Sequence, residues 1–183
     1  MRTELYLIEG PWSGRLAIAP RPRGGDWLED EVHLWQQAGL DIVISLLKLD
    51  EVVELGLEKE EEWCGNFRIE FISFPVTDRG VPTSRDAFLT LVRELWQALE
   101  AGKRVAVHCR QGVGRSALLA ASLLVTSGEE TENAFQRISE ARGCFVPDTD
   151  EQKEWVEALA PELSALPQIN DKESEAGVFV HPA

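Results

Sequence analysis

The nine residues His108 to Ser116, HCRQGVGRS, set one thiol, two glycines and two arginines at the end of the apolar run Val105-Ala106-Val107. A strand that turns here into a helix leaves the first N–H groups of that helix without partners, and those groups make a seat for an anion. Gly112 and Gly114 allow the loop to curl through positive φ, so that successive N–H groups converge. The stretch Arg110-Gln111-Gly112-Val113-Gly114-Arg115 is therefore expected to cradle a tetrahedral dianion, with the Arg115 guanidinium gripping two of its oxygens. Cys109 would sit at the base of the cradle, where the amides and Arg115 favour its thiolate over its thiol. A thiolate so placed can attack phosphorus and form a phosphocysteine that water then hydrolyses.

Such a loop works only if a strand and a helix hold its ends. Arg104 to His108 reads as a short strand, and Ser116 to Thr126, apolar on nearly every side, as a helix buried in the core. Glu4 to Ile8 and Gly14 to Ala19 read as short strands, Asp41 to Leu47 as a buried one, and Phe67 to Phe74 as another that ends at Pro75. Asp26 and Glu29 have capping spacing ahead of Leu28, Val32 and Trp35; Thr83 and Asp86 repeat it ahead of the stripe Phe88, Leu91, Val92, Leu95, Trp96 and Leu99. Asp50 to Glu62 is expected to form a helix with a solvated acidic face. Thr131 to Arg142 and Asp148 to Ala160 read as amphipathic helices, the second stopped by Pro161, and residues 162–183 lose periodicity and read as a flexible tail. Strands alternating with helices predict an α/β fold in which a central, mostly parallel sheet is flanked by helices. Residues 1–161 would form one domain, with its site at the carboxyl ends of the strands.

Composition narrows the partners. The 183 residues carry 18 basic and 32 acidic side chains, a net charge of −14 that repels nucleic acid and anionic lipid at long range. Neither a basic start with an apolar core nor a membrane-length apolar run is present, so a cytoplasmic monomer is expected, with no nucleic-acid or membrane partner. The three cysteines, Cys64, Cys109 and Cys144, form no close pair and have no zinc-like spacing, so neither a disulfide framework nor a metal is expected. Cys64 and Cys144 read as small core residues.

His108, Cys109, Gly112, Arg115 and Ser116 resemble the HCxxGxxR[S/T] signature of the cysteine-dependent tyrosine and dual-specificity protein phosphatases at every defined position. FRIEFISFPVTDRGVPT and ARGCFVPDTDEQKEWV extend the likeness toward the kinase-associated phosphatase subgroup. The resemblance implies the tyrosine phosphatase-like fold, no cofactor, and a phosphorylated protein or peptide substrate. It implies that Asp78 is the general acid, although Phe74-Pro75-Val76-Thr77-Asp78 departs from the Trp-Pro-Asp loop of the larger tyrosine phosphatases. Residue type alone leaves Asp78 equally a turn residue before Arg79-Gly80, while Asp148 and Asp150 are explained by helix capping. By the same resemblance Ser116 stabilises the departing thiolate, His108 orders the loop, Arg110 points outward toward substrate, and Gln152 aligns with a water-positioning glutamine. A lone glutamine on a helix otherwise reads as solvated. Phosphoinositide and RNA 5′-phosphatases share the signature, and a phosphoprotein-binding module without turnover is a reading from another class.

Overall fold

The computed structural model describes residues 4–175. Among them, β1 (Tyr6–Ile8), β2 (Arg15–Ala19), β3 (Ile42–Ser45), β4 (Glu70–Ser73) and β5 (Arg104–His108) form one sheet in the order β1-β2-β5-β3-β4. β1 lies antiparallel to β2 at one edge, and every other pairing is parallel. The helices are α1 (Leu28–Gln37), α2 (Leu49–Glu54), α3 (Glu60–Asn66), α4 (Arg85–Glu100), α5 (Arg115–Thr126), α6 (Thr131–Arg142) and α7 (Asp150–Glu175).

Alternation along the strands builds two cores. Val105 and Val107 of β5 face one side with Leu16, Ile18, Ile42 and Ile44, where α4 to α7 pack. Ala106 faces the other side with Ala17 and Val43, against α1 and α3. Burial on both faces is why these strands read as continuous apolar runs. All of α5 is buried, since α6 and α7 enclose the helix that leaves β5. β5 therefore runs up the middle of the sheet and delivers the Cys109 loop at its carboxyl end.

Several expected boundaries move. Asp26 lies in a 3₁₀ turn, Gly25–Trp27, and does not cap α1, whose first turn follows Trp27 with no side-chain cap. The cap of α4 is Ser84 rather than Thr83, its Oγ accepting from Ala87 N at 3.3 Å. Phe67 ends α3, which leaves only Glu70 to Ser73 for the strand. The acidic stretch Asp50 to Glu62 is two helices, not one: α2 gives way at Leu55 and Gly56, where φ is +66°, and α3 starts at Glu60.

Pro161 does not stop the last helix. α7 continues to Glu175, with Val156, Leu159, Leu163 and Leu166 buried at helical spacing in the same core. A mid-helix proline costs about 3 kcal/mol, and burying each of two further leucines contributes roughly 1.5–3 kcal/mol, so packing offsets the lost hydrogen bond. The segment read as aperiodic is thus helical through residue 175, with Leu163 and Leu166 packed in the core, while residues 176–183 lie outside the described residues. No helix among the described residues is long and apolar enough to cross a membrane.

Candidate active site

The end of β5, the start of α5, the loop after β4 and the approach to α7 meet around one cleft of about 200 Å³. Cys109, Arg110, Gln111, Val113, Gly114 and Arg115 line it together with Asp78, Arg79 and Asp148. The Cys109 side chain is buried, and its Sγ accepts a hydrogen bond from Gly112 N at 3.3 Å. Gly112 has φ +68°, and a Cβ there would lie 2.9 Å from Ala19 O, so the turn under the sulfur needs glycine twice over. Gly114 does not have the expected positive φ; its φ is −87°. What excludes a side chain there is close packing, since a Cβ would lie 2.9 Å from both Asp148 Cβ and Gln152 Oε1.

Arg115 opens α5 with its side chain buried under the cleft. Its Nη1 donates to Glu51 Oε2 at 2.6 Å and Val76 O at 3.0 Å, and its Nη2 to Glu51 Oε1 at 2.9 Å. Nη2 also lies 2.9 Å from Asp78 Oδ1, so the candidate acid reaches across the cleft to the candidate phosphate ligand. Burial opposes the charge on Arg115, but Glu51, Cys109 and Asp78 outweigh it and raise its pKa above the ordinary guanidinium value. Burial would likewise raise the Glu51 carboxyl, yet hydrogen bonds from Arg115 and Lys48 N, with the charges of Arg115 and Arg110, hold it below the carboxylate range. A fork-to-fork pair of this kind fixes the plane of the guanidinium.

Behind the cleft, His108 and Glu60 are both buried, with Nε2 and Oε1 2.8 Å apart but not aligned as a hydrogen bond. Ser116 Oγ is buried and has no hydrogen-bond partner among the described residues. Arg110 leans out over the rim and pairs with Glu54. On the outer side of the loop Arg142 of α6 donates to Gly112 O at 2.8 Å and Gln111 O at 3.0 Å, turning those carbonyls away from the cleft, and its guanidinium stacks 3.7 Å from the Tyr6 ring.

Four readings need correcting. Glu51 and Glu60 are buried partners of Arg115 and His108, not parts of a solvated face. Cys144 is exposed, in the connection between α6 and α7, whose core position is taken by Val146 instead. Gln152 is fully buried rather than solvated, with its amide engaged at both ends: Nε2 donates to Gly80 O at 3.0 Å and Oε1 accepts from Asp148 N at 3.2 Å. Asp148 faces the cleft and sits 3.6 Å from Arg79, while it is Thr149 whose hydroxyl accepts from Gln152 N in the first turn of α7. The sequence alone does not point to Glu51 or Arg142. Glu51 stands three residues after Lys48, the spacing of an N-terminal capping glutamate, but nothing linked it to Arg115; Arg142 carries no local signal at all.

A mostly parallel α/β sheet that presents a cysteine and an arginine on one amide-lined loop defines the phosphate-handling class of site. The family described as dual specificity phosphatase, catalytic domain, matches residues 34–158, and the chain belongs to it. The "Putative tyrosine phosphatase 197R" of Invertebrate iridescent virus 6 is 26% identical over 132 residues, 70% of this chain and 47% of that protein. The chain thus spans less than half the length of that relative. Kinase associated phosphatase, solved with its catalytic-site cysteine replaced by serine, shares the fold with a TM-score of 0.80 at 17% identity, over 90% of this chain and 98% of that one. PTPMT1 in complex with PI(5)P aligns with a TM-score of 0.66 at 22% identity, over 86% of this chain and 97% of that one. Among the described residues no group of three or more His, Cys, Asp or Glu side chains is arranged to hold a metal.

Proposed function

We propose that this chain hydrolyses phosphate monoesters on phosphorylated proteins, at phosphotyrosine and also at phosphoserine and phosphothreonine, through a phosphocysteine on Cys109. One observation carries the reading: Cys109 and Arg115 from the β5–α5 loop and Asp78 from the loop after β4 converge on a single cleft, the sulfur receiving an amide hydrogen bond and the two charged groups 2.9 Å apart. In the proposed reaction the phosphate displaces Asp78 from Arg115 and takes up the loop amides. The Cys109 thiolate then forms the S–P bond as the P–O bond breaks, and Asp78 gives its proton to the departing oxygen. Water next attacks phosphorus, Asp78 takes the water proton, and the thiolate leaves as inorganic phosphate forms. The buried Ser116 hydroxyl is assigned to that departing sulfur, and His108 to ordering the loop. The amide of Gln152 is engaged at both ends, so we do not assign it to water.

The neighbouring PTPMT1 complex with PI(5)P raises a phosphoinositide reading. Charge in the cleft favours a single phosphate instead, because Arg79, Arg110 and Arg115 each face an acid, Asp148, Glu54 and Glu51 in turn. A thiolate enzyme is served by a reducing compartment, so we place it in the cytoplasm. The test is hydrolysis by purified protein of phenyl phosphate, phosphopeptides and PI(5)P vesicles. Phosphopeptides are expected to turn over fastest, and Asp78→Ala to lower kcat on phenyl phosphate by about 10² to 10⁴. No turnover of any monoester would sink the phosphatase reading, and faster turnover of the vesicles would replace the substrate.

A further inference from the structure

Asp78 sits on a loop whose nearest neighbours in sequence are tied to another element. Thr149 Oγ1 donates to Arg79 O at 3.3 Å, Gln152 Nε2 donates to Gly80 O at 3.0 Å, and Arg79 Nη1 lies 3.6 Å from Asp148 Oδ2. These contacts reach from the two residues after Asp78 to residues 148–152 at the entry of α7, about seventy positions away in the chain. Arg79 is held at φ +58°, a left-handed conformation that a non-glycine residue keeps only when its surroundings impose it. Gln152 is fully buried, and its other bonds, from Asp148 N to Oε1 and from its own N to Thr149 Oγ1, stiffen the anchoring turn. The same amide lies against the backbone of Gly114, so one side chain touches both the phosphate loop and the acid loop. The Asp78 side chain, by contrast, is largely exposed and pairs with Arg115, a contact that phosphate would replace.

We infer that Thr149 and Gln152 are positioning residues: they latch the acid loop to the start of α7 and keep Asp78 over the Cys109 cleft when phosphate takes Arg115 away from it. The inference rests on the proposed role of Asp78 as the acid. A latch of this kind matters in proportion to how badly the leaving oxygen needs a proton, so its loss has a signature that general loosening lacks.

Two comparisons test it on the full chain. In the first, Thr149→Val, which loses both hydroxyl bonds, is expected to lower kcat on phenyl phosphate about tenfold more than on p-nitrophenyl phosphate, whose phenolate leaves more readily. Thr149→Ser keeps the hydroxyl and is expected to restore the wild-type ratio, and inhibition by inorganic phosphate should be unchanged in both. Gln152→Glu keeps the acceptor for Asp148 N, loses the donor to Gly80 O, and should move the ratio in the same direction. In the second, tryptic cleavage after Arg79, scored by mass, is expected to quicken about tenfold in Thr149→Val and not in Thr149→Ser. Equal losses on the two esters, or an unchanged rate of cleavage after Arg79, would overturn the latch. If the wild type hydrolysed no monoester, the phosphatase reading would fall, and the tryptic comparison would still decide whether the loop is latched.

Discussion

Two buried cysteines stand on opposite faces of one sheet, and the chain treats them in opposite ways. Cys64, in α3, is enclosed by Val32, Trp35 and Ile69; burial pushes its thiol up to about 12, and Glu60 and Glu61 add to the effect. Cys109 is nearly as buried, yet its sulfur accepts the Gly112 amide and helps hold Arg115 in its charged form. Burial alone therefore does not set the two sulfurs apart. Their surroundings do: the acidic turn of α3 adds to the effect of burial at Cys64, while Cys109 receives the Gly112 amide and shares its cleft with Arg115.

The largest expected effect separates the two sulfurs directly. Cys109→Ser should lower hydrolysis of p-nitrophenyl phosphate by at least about a thousandfold, because the nucleophile is lost while the cleft persists. Cys64→Ala should leave kcat within about twofold, its sulfur being on the far side of the sheet. A Cys64 variant as inactive as the Cys109 variant would break the comparison, since it would mean that the second core controls the cleft.

The contrast also shows what a sequence can and cannot reveal. Residues 108–116 are contiguous, so the cradle, its strand and its helix were legible from type and spacing alone, and Thr131 to Arg142 agrees with α6 to the residue. Asp78 needed the family likeness, because a loop aspartate has no local mark that separates an acid from a turn. Glu51 was hidden because its neighbours Asp50 and Glu54 are also acidic, and only the fold, which turns α2 over the end of β5, picks out the one that meets Arg115. Gly114 is demanded by close packing against Gln152 and Asp148 from a distant helix start, not by its own φ, and that contact leaves no local mark in the sequence. Pro161 reads as a stop because a helix breaker acts locally, whereas Leu163 and Leu166 beyond it count only once the fold gives them a core to enter.

A middle-sized effect tests the guanidinium side of the contrast. Glu51→Gln leaves Arg115 buried with its main counter-charge removed, and breaking a buried pair from one side costs about 3–5 kcal/mol. The pH dependence has a definite sign. Because the folded Glu51 carboxyl lies below its ordinary value of 4.5, its stabilisation is present above that value and is lost as pH falls through the folded pKa. Urea unfolding at pH 7 and at pH 4 should therefore show a wild type that loses more stability on acidification than Glu51→Gln does. Parallel losses in the two proteins would mean that the pair contributes nothing to the folded state.

The smallest expected effect lies on the carboxylate side, at the other end of the pH scale. The folded Cys64 thiol ionises near 12 against an ordinary value of 9.0, so the unfolded chain gives up this proton first as pH rises. Its contribution to stability is then whole below pH 9 and declines as pH climbs from 9 toward 12, amounting to about 1 kcal/mol by pH 10. Cys64→Ala removes that component and leaves every other alkaline titration in place. Denaturant unfolding under reductant at pH 8 and pH 10 should accordingly show the wild type losing about 1 kcal/mol more than the variant over that interval. An equal loss would mean that Cys64 ionises as readily folded as unfolded, and the carboxylates of α3 would then be no part of what keeps this sulfur inert while the one across the sheet is exposed to amides.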